Sequence, residues 1–140
     1  MNRVVIEMEA LPQNQMFARS AVAAYMGQVD PTVEEMTEVK TAVSEAVSNA
    51  IIHGYGKSGS GNIRIEMDMP KEDTLVVKVV DFGRGIENID KAREPLFTTG
   101  PAEELSGMGF TVMESFMDKM AVESEVGKGT TITLMKKLDV

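Results

Sequence analysis

Residues 32–53 read TVEEMTEVKTAVSEAVSNAIIH, and their spacing decides the fold. Met36, Val39, Val43, Ala46, Val47 and Ala50 recur at three- and four-residue steps, the period of a helix that lays one face on a core. Thr32 and Glu35 form a capping box that satisfies leftover backbone donors and contributes about 1 kcal/mol at the cap position. Gly54 then ends the pattern. Ahead of this helix, the β-branched run RVVIE in residues 3–9 predicts a strand. A helical stretch follows from Pro12 to about residue 28, with Phe17, Ala21, Ala24 and Tyr25 as its apolar stripe and Arg19 and Ser20 off that stripe. Behind it, residues 62–69 and 74–81 read as strands around a PKED turn, with Leu75, Val77 and Val79 alternating. Residues 107–117 return to helix, and residues 120–125 and 130–137 close the chain as a hairpin around Gly127, Lys128 and Gly129. The order β-α-α-β-β-loop-α-β-β predicts an α+β two-layer sandwich, a mostly antiparallel sheet with helices on one face.

The composition narrows the chemistry. The chain has 140 residues, a length expected of one domain spanning residues 1–140. It has no Cys, which removes thiol nucleophiles, disulfides and thiolate metal sites, and its one His cannot furnish the His pairs of zinc hydrolases. Any metal is therefore expected to be a hard ion on oxygen ligands. With 22 acidic and 14 basic side chains, the net charge of -8 argues against direct binding of nucleic acid and leaves positively charged protein partners open. Glu7 and Glu9 interrupt the N-terminus, and no apolar run approaches the roughly 18 residues of a membrane span, so a soluble, cytoplasmic protein with no membrane partner is expected.

Four stretches could carry chemistry. Glu45, Asn49 and His53 lie four apart, each rotated only about 40° from the last on an α-helix, so they form one column away from Val43 and Val47. Its plain reading is a solvated polar face. Its functional reading has Glu45 accepting a proton and Asn49 giving Mg²⁺ an uncharged oxygen, with His53 a helix-end residue. In VVDFGRGI, Asp81 ends a strand before Gly83 and Gly85; the acid could accept a hydrogen bond from an exocyclic amine such as that of adenine, or the stretch is simply a turn. In LSGMGF, Gly107 and Gly109 open a helix whose N-terminal backbone donors suit a polyphosphate, unless the glycines only ease entry into the helix. GKGTT is a β-turn that leaves Thr130 as a hydroxyl partner for a base. No G-x-x-x-x-G-K-[ST] occurs, so a nucleotide would not be held as in a P-loop.

In this order, E-x-x-x-N-x-x-x-H, D-x-G-x-G, a long lid, G-x-G and a late Gly-Thr resemble the ATP site of the gyrase, heat-shock-90, histidine-kinase and MutL superfamily, the Bergerat-type fold. Within it, DPTVEEMTEVKTAVSEAVSNAIIHGY, EPLFTTGP, SGMGFTVMESFMD and ESEVGKGTT resemble the anti-sigma F factors of endospore-forming bacteria, over residues 3–137. The resemblance implies a homodimer that binds the sporulation sigma factor F when loaded with ATP, and an ATP-dependent serine/threonine kinase that phosphorylates the anti-anti-sigma factor on serine. It implies ATP/ADP and Mg²⁺ as cofactors. It makes Glu45 the catalytic base, Asn49 the Mg²⁺ ligand, and Asp81, Gly83, Gly85, Gly107, Gly109 and Thr130 nucleotide contacts. Arg19 matches an arginine used toward both protein partners.

The lid departs from the family. Where relatives commonly read Thr-Thr-Lys-Pro and Glu-Arg-Ser-Gly, this chain has Gly100 and Leu105, and residues 98–109 carry Glu103 and Glu104 without a base. Charge neutralisation would then fall on Mg²⁺ and backbone N–H groups, with Arg84 or Arg93 as neighbouring compensation. Competing readings are a histidine-kinase catalytic domain, which would need a phosphoacceptor helix pair, a non-catalytic ATP-dependent binding module, and a sibling switch kinase for a stress-response sigma factor.

Overall fold

A computed structural model of the chain describes residues 2–55, 61–89 and 109–139. Strand β1 (Val4–Glu9) leads into α1 (Asn14–Met26) and a short 3-10 turn (Gly27–Val29). Helix α2 (Val33–Asn49) passes directly into a π turn (Ala50–Gly54). Then come β2 (Asn62–Lys71), β3 (Thr74–Asp81), α3 (Gly109–Phe116), β4 (Lys119–Glu125) and β5 (Gly129–Lys137). The five strands form one sheet in the order β1-β2-β3-β5-β4, every neighbouring pair antiparallel. Period-two alternation puts Ile63, Ile65, Met67 and Met69 of β2, Leu75, Val77 and Val79 of β3, and Ile132 and Leu134 of β5 into the core. Across from them α2 buries Val39, Ala42, Val43, Ala46 and Val47, with α1 and α3 packed on either side of it. This is the expected α+β sandwich.

Three local readings change. The buried row of α1 is Ala18, Val22, Tyr25 and Met26, while Phe17 is 71% exposed and Ala24 is exposed too. Rows 17, 21, 24 and 18, 22, 25 fit a 3.6-residue period equally well, and packing on α2 and the sheet selects the second. The PKED turn is narrower than expected, since β2 runs through Pro70 to Lys71 with a register irregularity after Asp68. Proline is tolerated there because the last β1 pair is Val4 with Met67, so nothing on that side asks Pro70 for an N–H. Finally, α2 loses its α pitch after Asn49.

The inward row of the sheet carries a charged group at each end. At one end lies Asp81; at the other, Lys136 donates to the Phe116 carbonyl at the end of α3 (2.6 Å) and sits 3.7 Å from Glu38. Beside Lys136, Glu35 closes the capping box with Thr32 (2.9 and 3.1 Å) and also accepts from the Asp139 amide (2.6 Å), tying the chain end to the start of α2. Burial opposes ionisation of Glu35, but the Thr32 and Asp139 hydrogen bonds and Lys136 outweigh it and hold the carboxyl below its usual range. A carboxyl depressed in the folded state stabilises above its unfolded pKa, and that contribution disappears as pH falls through the folded value. Thermal melts of wild type and Glu35→Gln should therefore differ at neutral pH and converge in acid below the ordinary carboxylate range. A gap independent of pH would assign the effect to packing.

Candidate functional site

The site is built where α2, the π turn, the end of β3 and the start of α3 meet. Glu45 and Asn49 stand on α2 one turn apart, half-buried and outside the row of Val43, Val47 and Ala46. A Cβ placed on Gly109 would lie 3.3 Å from Glu45 Oε2 and 3.4 Å from Asn49 Oδ1, so the first residue of α3 faces both groups. Burial raises the Glu45 carboxyl above its ordinary range. A basic carboxylate, an amide oxygen and the backbone N–H groups of a helix start thus converge on one spot. One amide oxygen with a neighbouring carboxylate is the sparse oxygen set that suits Mg²⁺, which keeps waters and phosphate oxygens as its other ligands.

From Ala50 to Gly54 the helix widens to π pitch, with hydrogen bonds running i to i+5, so His53 stands in a wider turn than Glu45 and Asn49 do. His53 lies at the turn's end, where its carbonyl accepts from Arg84 Nε (2.5 Å). Burial, with the Arg84 charge beside it, lowers the His53 pKa and keeps the ring neutral. The guanidinium considered as a substitute for a basic lid is therefore engaged at this turn.

Asp81 is the last residue of β3 and follows Leu75, Val77 and Val79 in the inward row, so the alternation that builds the core also drives this carboxylate inside, to 7% exposure. Burial raises its pKa, against which the amides of Gly83 (3.0 Å) and Thr130 work by hydrogen bonding. Thr130, directly across β5 in register, is buried with its hydroxyl 2.8 Å from Ser124 Oγ. The glycines of D-F-G-R-G have steric causes. A Cβ on Gly83 would sit 2.0 Å from the Gly54 carbonyl oxygen, and Gly85 has a φ of 77° with the Glu125 carbonyl 2.3 Å from where a Cβ would be. The turn is thereby wedged between the π turn and the β4–β5 hairpin.

Sequence reasoning missed Ser124 and Tyr55. Ser124 Oγ accepts from the Ile86 amide (2.8 Å) and contacts the Gly129 carbonyl (3.1 Å) as well as Thr130. Pairing the hairpin outward from its glycine turn would have put residue 124 opposite residue 130. Gly107, Gly100, Leu105, Arg93, Glu103 and Glu104 lie outside the described residues. Arg19 is half-buried on α1, on a face it shares with Met16 (74% exposed).

Residues 8–136 match the family model of the histidine kinase-like ATPase domain. The chain is 51% identical over 99% of its length to the anti-sigma F factor of Clostridium beijerinckii, covering 96% of that protein. It is 54% identical over 98% of its length to the anti-sigma F factor of Bacillus licheniformis, covering 93% of it. The chain belongs to the anti-sigma F factor family. Membership in this family of ATPase domains implies that the chain binds a nucleotide. The fold is also that of the RsbU and RsbW domains of a Mycobacterium tuberculosis protein, with a TM-score of 0.71 at 19% identity, over 99% of this anti-sigma F family member and 33% of that chain. No helix among the described residues is long and apolar enough to cross a membrane.

Proposed function

We propose that residues 1–140 act as one unit, a cytoplasmic homodimeric anti-sigma factor that binds sporulation sigma factor F when ATP is loaded and phosphorylates its anti-anti-sigma antagonist on serine. The observation that carries this reading is Glu45, a half-buried carboxyl of raised basicity facing Asn49 and the first residue of α3. The base end of the nucleotide lies at Asp81 and Thr130, and its phosphates at α3, whose described glycine is Gly109. Asn49 would hold Mg²⁺, which would supply charge neutralisation at the phosphates.

The substrate serine oxygen attacks the γ-phosphorus, the bond from that phosphorus to the β-γ bridging oxygen breaks, and the serine proton passes to Glu45. ADP leaves and phosphoserine remains. Such transfer asks the protein mainly for positioning and charge stabilisation, which fits a site where Glu45 and Asn49 face the start of α3. The partner-facing surface includes Arg19. One turn before it Met16 is 74% exposed, and arginine beside exposed methionine is a combination enriched where proteins dock.

Capture on immobilised protein tests the anti-sigma half. Sigma factor F should be retained with ATP, weakly retained with ADP, and weakly retained by Arg19→Ala with either nucleotide. Equal retention with ATP and ADP would refute the switch.

A further inference from the structure

The loop 82–86, which follows Asp81, is slung between two hydroxyl groups. At its start, Tyr55 Oη accepts the Phe82 amide (2.7 Å) and donates to the Asn62 carbonyl (2.7 Å). The last pair between β2 and β3 is Ile63 with Asp81, so Phe82 and Asn62 would be the next pair of that antiparallel ladder. Tyr55 has put its hydroxyl between these two would-be partners. The strand end is held open by one oxygen, both backbone groups stay satisfied, and the chain leaves the sheet directly after Asp81. The ring has room because residue 61 is glycine: a Cβ there would lie 2.3 Å from the Tyr55 ring. At the other end of the loop, Ser124 Oγ accepts the Ile86 amide.

The π turn completes the arrangement. It brings Gly54 so close to Asp81 that a Cβ would sit 2.9 Å from the carboxylate carbon, and the Gly54 carbonyl accepts the Arg84 amide (3.0 Å). Asp81 is thus registered by backbone on one side and by Tyr55, through Phe82, on the other.

We propose that Tyr55 and Ser124 are positioning residues for base recognition, their hydroxyls fixing both ends of the 82–86 loop so that Asp81 meets the amino group of adenine. This rests on the nucleotide reading above. Each acts through the loop, and Ser124 also through the Thr130 hydroxyl 2.8 Å from it.

The test measures Kd for ATP and for purine riboside triphosphate, the same molecule without the 6-amino group, in wild type, Tyr55→Phe, Ser124→Ala, Asp81→Asn and the Tyr55→Phe/Asp81→Asn double variant. Wild type should prefer ATP. Each hydroxyl deletion should cut that preference about 3- to 10-fold, the usual worth of one neutral hydrogen bond, while affinity for the analogue changes little. In the Asp81→Asn background, Tyr55→Phe should change the preference no further. Parallel loss of affinity for both nucleotides, or an undiminished preference in both single variants, would overturn the positioning role while leaving the nucleotide site standing. Failure of wild type to bind ATP at all would overturn both. Should Tyr55→Phe fail to fold, Ser124→Ala gives the same readout from the other end of the loop.

Discussion

Glu45→Ala is expected to lower serine phosphorylation of the anti-anti-sigma factor by about 10²–10⁴-fold, the usual worth of general-base assistance, with little change in ATP affinity. The asymmetry follows from placement. Glu45 lies outside the apolar row of α2 and faces the start of α3, where we propose the phosphates bind, so removing its carboxyl should leave the proposed base contact at Asp81 intact. The removed group also carries a burial cost, which the raised pKa expresses, so the variant should not be less stable. The same shift sets the pH profile. Only ionised Glu45 accepts a proton, and its raised pKa means that activity falls on acidification before ordinary carboxylates titrate. Steady-state rates against pH, beside nucleotide titrations, check both statements. Near-normal transfer by Glu45→Ala would remove it from the mechanism.

Asp81→Asn should weaken ATP binding about 10- to 100-fold, the range for losing a hydrogen bond to a charged group. It should at the same time leave the nucleotide-free fold as stable as wild type or more so. Asp81 is forced inside by strand alternation, and burial raises its pKa despite the Gly83 and Thr130 amides. A carboxyl raised in the folded state costs stability at neutral pH, a cost that lessens as it protonates in acid. An amide of nearly the same shape avoids that cost but places N–H donors where an acceptor is required. Calorimetric titration with ATP and thermal melts without it read the two effects separately. Unchanged affinity would remove Asp81 from the nucleotide site.

Much of this was legible in the sequence for identifiable physical reasons. The capping box at Thr32 and Glu35 and the helical spacing behind it are local, and so is the strand alternation that carries Asp81 inward. Neighbouring positions on α1 were not separable, because Phe17 and Ala18 begin rows of equal period and only the tertiary packing chooses between them. The π turn was invisible for a related reason. Its residues AIIH continue the helical pattern, and the change of pitch after Asn49 lies in backbone geometry alone. Tyr55 could not be singled out, since its role depends on a ladder that opens at Phe82, 27 residues further on. Gly83 was visible as a turn glycine, yet its cause, the carbonyl of Gly54 at its back, is a tertiary contact.

The most direct measurement of the central claim is transfer of labelled γ-phosphate from ATP to purified anti-anti-sigma factor, followed by identification of the phosphorylated residue. Mg²⁺-dependent label is expected on serine of the partner, reduced about 10²–10⁴-fold with Glu45→Ala. Label on histidine, or ATP binding with no transfer at all, would contradict it.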